Sequence, residues 1–427
     1  MKHFEPANSA AVHRYALIVD PLSSGRYYLD EFRKHGVECI GFLSSKTIPA
    51  HLVSGVHDLP LAKLFDDKNE LLRWLSGRGE VIAVVAGFET AIEATDGLAA
   101  ELGVTGNDVA TSHTRRYKDE MQTALKDAGV RGIHTRVIST EAEKLDEIAT
   151  RSEFPCVVKP VGSAGSEGVT LVRSGEELAE ALDRSVLGST NELGLVNDRF
   201  ILQPYVSGTE YVVDLVAFGD RYHVAAVGRY AKVRANGGDF VYLAYEVLNP
   251  ENDEWETLTN YAKKAAAALN VSVGPLHMEI IVSQQGPVLV EAGARLHGGV
   301  SVSLFKECYD LNLLATAVRS YMNLAAPERG TRLIKHGKVV ALVSSREGER
   351  PILDHYFNEC AELQSYKGHK CFISADGPLR KTIDLTTCPA VVWLAHHDPS
   401  VITADETRIR SIFEPVFGRL ETSPNVG

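Results

Sequence analysis

The chain has 427 residues, 44% hydrophobic and 23% charged, with a formal net charge of −12, the profile of a soluble globular protein long enough for two or three domains. The acidic balance, with no basic run, argues against nucleic acid or an anionic membrane as partner. Six scattered Cys without a C-x-x-C pair exclude a disulfide framework or zinc site and suit a cytoplasmic protein; no signal-peptide core, no apolar run of about 18 residues and no internal repeat is found.

In chain order, apolar runs at 15–20, 37–43 and 81–86 read as buried strands, and 23–34, 69–75 and 90–102 as helices, with Gly36 and Gly103 as stops. Strands alternating with helices imply a parallel, Rossmann-like sheet over residues 1–112. The chain after the first strand reads PLSSGRYY, not a dinucleotide fingerprint, so no NAD site is assigned. Ligands of such sheets lie beyond strand C-termini, which puts 21–25 and 87–89 near a pocket.

Residues 113–200 form the next unit. A helix over 113–128 carries Lys118, which by itself reads as a solvated surface Lys. A strand at 135–138 and a helix at 141–152 precede FPCVVKPVGSAGSEGVTLV (154–172), a strand, a loop and a strand. The loop 162–168 holds Gly162, Ser163, Gly165, Ser166 and Gly168, and such loops offer backbone N–H groups to phosphate oxygens. Lys159 precedes the glycines, the reverse of a Walker A site. It sits in the apolar run CVVKPV, where an unpaired ammonium is costly and a phosphate offsets the cost.

Residues 201–427 are read as one further unit. Residues 200–218 look like a hairpin turning at Ser207-Gly208; backbone near 203–206 could pair with an adenine edge and Glu210 could accept from ribose hydroxyls, although on spacing alone an ordinary hairpin is the better reading. Strands at 222–233 and 240–246 flank a loop, 234–239, and helices follow at 255–269 and 303–322. The tail reads as an α+β appendage with strands at 339–344, 371–375 and 390–395 and a helix at 405–413 before Pro415.

The stretch HMEIIVSQQGPVLVEAGARLHGG (277–299) organises the rest. It reads as two strands joined by a three-residue loop, 284–286, with Gly286 last. Pairing centred on Gln285 sets Ile280 against Val290 and Val282 against Val288, and brings Glu279 directly opposite Glu291. Like charges about 4.5–5.5 Å apart at Cβ are destabilising, so the pair is either an exposed hairpin with two solvated Glu, a shared-proton pair or a Mg²⁺ clamp. Arg295 follows with the same strand parity. His277 shares the face of Glu279 and is a candidate substrate contact; His297, His336, His396 and His397 read as structural histidines.

Taken in order, the helical Lys118, VVKP with Lys159, the Gly/Ser loop, QPYVSGTE, HMEI and VEAGAR resemble the ATP-grasp superfamily of carboxylate–amine/thiol ligases, nearest to the dipeptide-forming L-amino-acid ligases. The resemblance covers about residues 1–330. It implies an ATP-grasp fold, α/β and α+β, with an N-terminal Rossmann-like domain (1–112), a small subdomain bearing the phosphate loop (113–200), and a large subdomain with the metal site and tail (201–427). It further implies that Lys118 and Lys159 contact ATP phosphates, that 162–168 closes over them, and that Gln203, Tyr205 and Val206 line the adenine pocket with Glu210 at the ribose. Glu279 and Glu291 would hold Mg²⁺, usually two ions, with Mn²⁺ able to substitute, and Arg295 would stabilise the acyl phosphate. Gly298 and Gly299 are candidate substrate contacts. Many relatives carry Asn where this chain has Gly293.

The chemistry so implied is activation of an amino acid carboxylate as an acyl phosphate and its capture by an amine, giving a dipeptide, ADP and phosphate. Lactam closure of one amino acid-like substrate and a non-catalytic ATP-binding regulator are the alternatives; the joint presence of Glu279, Glu291 and Arg295 speaks against the regulator. No Met-Lys-Met biotin segment occurs. The candidate lids are the Gly loop and 234–239, hinged at Gly168, Gly237 and Gly238, and substrate side chains would be read at 229–242 and 296–305. The expected partners are small-molecule amino acids, with a homodimer as a candidate assembly.

Overall fold

The N-terminal sheet consists of short apolar strands that need cover on both faces. β1 (Arg14–Val19), β2 (Glu38–Phe42), β3 (Leu64–Phe65) and β4 (Glu80–Ala86) run parallel in the order β3-β2-β1-β4. Leu17 and Val84 pack into one hydrophobic cluster, and Ile18 and Val85 into another, so these strands lack polar alternation. The structure, a computed structural model, describes residues 13–139, 148, 153–184, 188–374 and 377–421. The helix expected at 141–152 lies outside them apart from Ile148. Asp20, at φ +49, accepts hydrogen bonds from the Ser44 amide and hydroxyl and from Thr90. Segments 21–25 and 87–89 meet there: a Cβ on Gly25 would lie 2.5 Å from the Gly87 Cα, a closeness only glycine permits.

The second sheet is antiparallel. β5 (Arg136–Ser139), β6 (Cys156–Pro160), β7 (Thr170–Val172) and β8 (Arg199–Pro204) lie in the order β5-β8-β6-β7. Leu178 and Ala181 of helix Gly175–Arg184 cover one face, against Val158, Val172 and Phe200. The expected subdomain boundary at 200 therefore falls inside β8. The helix expected over 113–128 is broken: a 3₁₀ segment, Val109–Arg115, stops at Arg116, and the α-helix restarts as Lys118–Asp127. Lys118 is its first residue.

The third sheet has eight strands. β9 (Thr209–Phe218), β10 (Arg221–Ala235), β11 (Gly238–Val247), β12 (Val273–Ser283), β13 (Gly286–Gly293), β14 (His336–Leu342), β15 (Tyr366–Cys371) and β16 (Ala390–His396) lie in the order β13-β12-β9-β10-β11-β14-β16-β15. Three expectations are corrected here. The 200–218 hairpin does not form, because β8 and β9 belong to different sheets and Ser207-Gly208 is the crossing between them. The tail is no appendage, because β14, β16 and β15 continue the large sheet beyond β11. The loop 234–239 is a tight turn at Asn236-Gly237, both at positive φ (54° and 89°), the pairing favoured in two-residue hairpins.

That turn is pinned, so it is not a lid and Gly237 and Gly238 are not its hinges. Asn236 Nδ2 donates to the carbonyls of Ser344 and Thr382, 2.9 Å each, and a Cβ on Gly238 would meet the Ile383 carbonyl at 2.1 Å. Helix Asp253–Ala268 packs in the cluster that holds Leu276 and Leu289. The helix expected over 303–322 is two, Ser301–Cys308 and Leu313–Tyr321. Tyr309 between them is extended, its hydroxyl on the carbonyls of Val227 and Leu248, and Asn312 caps the second helix through the Ala315 amide. The tail also contains helix Asp354–Ala361, and its last helix, Pro399–Phe417, runs through Pro415. No helix among the described residues is long and apolar enough to cross a membrane.

Candidate active site

The hairpin brings Glu279 opposite Glu291, by a different route from the one expected. The turn has two residues, since Ser283 pairs with Gly286 at φ +101. Ile280 pairs with Leu289, and a bulge then inserts Val290 before Glu279 meets Glu291. The extra residue sends Leu289 into the core and leaves Val290 on the wall of a cavity of about 580 Å³. Bulges re-aim side chains beside functional sites in this way.

Two lysines face the carboxylates across that cavity. Lys118 Nζ lies 3.0 Å from Glu291 Oε2 and donates to the Ser163 carbonyl at 2.7 Å. Lys159 Nζ is 3.5 Å from the Val290 carbonyl. Only 5% of Lys118 and 4% of Lys159 is exposed, so Lys118 is not the surface residue that its helix position suggested. Burial, reinforced by Lys118, pulls Lys159 down to about 8. Burial and then the charge of Glu291 push Glu279 upward, whereas Lys118 and Lys159 outweigh burial and hold Glu291 low. Opposed, half-buried carboxylates beside ammonium groups fit a hard divalent cation and an anionic phosphate.

Arg295 is the third cation. Its Nε donates to Glu89 Oε2 at 2.7 Å and its Nη1 to the Leu296 carbonyl at 2.9 Å. Arg116 approaches the other oxygen of Glu89 at 3.7 Å. At Gly293 an added Cβ would lie 2.9 Å from Glu89 Oε2 and 3.4 Å from Arg295. The space a side chain would enter is filled by the Glu89–Arg295 pair.

The loop 162–168 bends through Gly165, Ser166 and Gly168, all at φ between 63° and 71°. Its Gly162 carbonyl accepts from Arg116 and its Ser166 hydroxyl lies 3.3 Å from the Tyr242 hydroxyl. Ser163, Gly165 and Ser166 line the cavity; Gly162 and Gly168 stand behind it, Gly168 against Pro160. At the other end, Gln203 is buried with its amide donating to Thr135 at 2.8 Å, and Tyr205 and Val206 complete the wall. Glu210 pairs with Lys232 at 2.6 Å, and Lys232 lies over the Tyr242 ring. His277, Gly298 and Gly299 also line the cavity.

Several lining residues fall within the expected substrate-reading stretches 229–242 and 296–305, and others come from the tail. The 229–242 stretch, expected to read substrate side chains, is two paired strands and the tight turn between them, and its Tyr230, Lys232 and Tyr242 line the cavity. His297, expected to be structural, lines the cavity, with its Nδ1 2.9 Å from Asp214 Oδ2, while His277 Nδ1 is 3.1 Å from Asp214 Oδ1. Val339, Ala341 and Val391 of the tail strands supply apolar wall. The tail residues carry no local signal, because strand pairing across long stretches of chain brings them in.

Residues 152–303 match the family model of the ATP-grasp domain, and the fold of the chain is that of ATP-grasp proteins. It is similar to dapdiamide A synthase of Enterobacter agglomerans, 25% identical over 413 residues, or 93% of this chain and 95% of that protein. By fold it resembles the L-amino acid ligase of Bacillus licheniformis (TM-score 0.73, 18% identity, 96% of this chain and 98% of that one). It also resembles an N5-carboxyaminoimidazole synthase of Aspergillus clavatus solved with ADP and 5-aminoimidazole ribonucleotide (TM-score 0.70, 13% identity, 95% and 99%).

Proposed function

We propose that this chain phosphorylates the carboxylate of an amino acid with ATP and joins the acyl phosphate to the amine of a second amino acid. The products are a dipeptide, ADP and phosphate. The observation that carries the reading is the half-buried, directly opposed Glu279–Glu291 pair with Lys118 and Lys159 in one cavity. The names of the synthase and the amino acid ligase above point to the same chemistry.

Glu279 and Glu291 would hold Mg²⁺, or Mn²⁺, which neutralises charge on the transferring phosphoryl group. Lys118 and Lys159 bind the phosphates, and the amides of 162–168 cover them. Gln203, Tyr205 and Val206 seat the base and Glu210 the ribose. Arg295, fixed by Glu89, faces the charge that develops as the carboxylate oxygen bonds to phosphorus and again as the amine attacks the carbonyl. His277, Gly298 and Gly299 border the amino acid. The walls exclude water, which would otherwise hydrolyse the acyl phosphate.

Phosphate release and product mass test this with ATP, Mg²⁺ and the twenty L-amino acids singly and in pairs. The reading expects release above the ATP-only rate for some pairs, with a product of summed mass less one water. Release that never exceeds the ATP-only rate rejects it, and release giving a ring-closed product from one substrate replaces the dipeptide with a lactam.

A further inference from the structure

Asp214, His277 and His297 form a buried cluster to which the roles above assign almost nothing. The strand register places it. Across β9 and β12, Ile281 pairs with Glu210, Glu279 with Val212, and His277 with Asp214. Each two-residue step covers about 6.6 Å along a strand. One face thus carries, in order, the ribose carboxylate Glu210, the phosphate-side Glu279, and then His277 with Asp214. The cluster stands beyond the phosphates, where the reacting carboxylate must enter.

Asp214 fixes the tautomers. Each of its oxygens lies at hydrogen-bond distance from a different imidazole Nδ1, 3.1 Å for His277 and 2.9 Å for His297. A carboxylate only accepts, so both rings donate Nδ1–H, and in the neutral form of each ring Nε2 is the acceptor; the His277 Nε2 lies 3.9 Å from Glu279 Oε1. Asp214 is 1% exposed and does not line the cavity, whereas both histidines do. The ring atoms remote from Asp214 therefore serve the cavity. Burial and the neighbouring His277 pull His297 down to about 4, which keeps it neutral at pH 7. The two rings stand 4.1 Å apart, and Tyr245 meets His297 edge-on at 5.6 Å. Tyr230 and Tyr245 add aromatic walls, and among the described residues the buried Tyr245 hydroxyl has no hydrogen-bond partner.

Paired acceptors within an aromatic wall suit a cation rich in N–H donors. We infer that His277 and His297, held by Asp214, bind the α-ammonium of the amino acid whose carboxylate is activated. Asp214 is a positioning residue in this site. The inference rests on the ligase reading, and adds that the carboxylate substrate must carry a free α-amino group. It also keeps that amine occupied, so the attacking amine comes from the other substrate. A metal ion is the competing occupant, since the ligand atoms of the three residues lie within 4.8 Å of one another.

Asp214→Asn tests it, because the amide presents an N–H₂ to one Nδ1. That ring must switch tautomer and turn an Nε2–H toward the ammonium. Hydroxylamine traps the acyl phosphate as a hydroxamate, so the first substrate can be assayed alone. With L-alanine and L-valine against L-lactate and L-2-hydroxyisovalerate, the wild type is expected to favour the amino acids by about 100-fold or more in kcat/KM. In Asp214→Asn the preference falls below about 10-fold through the amino acid KM, with the ATP KM unchanged. A wild type that accepts hydroxy acids equally, or a variant that keeps the preference, overturns the inference alone. If no amino acid of the full panel supports turnover, the ligase reading falls and the inference with it. Independently of turnover, ¹⁵N-histidine NMR of the wild type should show protonated Nδ1 and bare Nε2 at both positions, assigned with His277→Asn and His297→Asn. Protonated Nε2 at either position, or a stoichiometric transition metal in protein purified without chelator, overturns it.

Discussion

Glu291→Gln is expected to lower kcat by about a thousandfold or more while the protein stays folded. Gln keeps the shape of the side chain, so the hairpin register and the Val290 bulge have no reason to change. What it removes is one of the two opposed carboxylates and the partner of Lys118 at 3.0 Å. Loss of one electrostatic group aimed at a reacting centre costs about 10²–10³ in rate, and here the same change halves the charge available to a cation. Stability moves far less. Two like charges about 5 Å apart repel by roughly 3 kcal/mol at an effective dielectric of 20, and relief of that repulsion offsets the lost pairing with Lys118. Single-turnover kinetics beside a thermal melt separates the effects: kcat collapses while Tm shifts by a few degrees. Turnover near wild type would remove Glu291 from the chemistry.

Arg295→Lys should lower kcat by about 100-fold with the ATP KM changed by less than about threefold. The guanidinium uses Nε on Glu89 and Nη1 on the Leu296 carbonyl, and that anchored fork sets where the rest of the group points. Lysine retains a charge but has no fork, so it cannot hold both contacts while reaching the reacting oxygen. A group that acts only in the transition state affects kcat and kcat/KM alike. An ATP KM that rises while kcat holds would make Arg295 a nucleotide contact instead.

Much of this could be read from local spacing. The parallel N-terminal sheet follows from apolar runs alternating with helical ones, and Lys159 ahead of its glycine loop follows from CVVKPV and the loop composition. The facing of Glu279 and Glu291 was also legible, although two errors cancelled: the loop was taken one residue too long, and the bulge at Val290 restored the pairing. Burial patterns do not announce a bulge, because Leu289 and Val290 are equally apolar. Lys118 was invisible to helix reading, since the break at Arg116-Tyr117 depends on packing around the buried Arg115, which reaches Asp96 and the Leu269 carbonyl. The Asp214–His277–His297 cluster and the tail strands were out of reach for a common reason. They exist only through pairings between segments about 50 residues or more apart, and one sequence carries no record of which strands become neighbours.

The most direct measurement follows oxygen. With the carboxylate of the first amino acid labelled in ¹⁸O, and ATP, Mg²⁺ and the second amino acid supplied, activation as an acyl phosphate transfers one labelled oxygen to the phosphate released. One ¹⁸O per inorganic phosphate, in step with amide formation, is the predicted result; unlabelled phosphate during amide formation would contradict it.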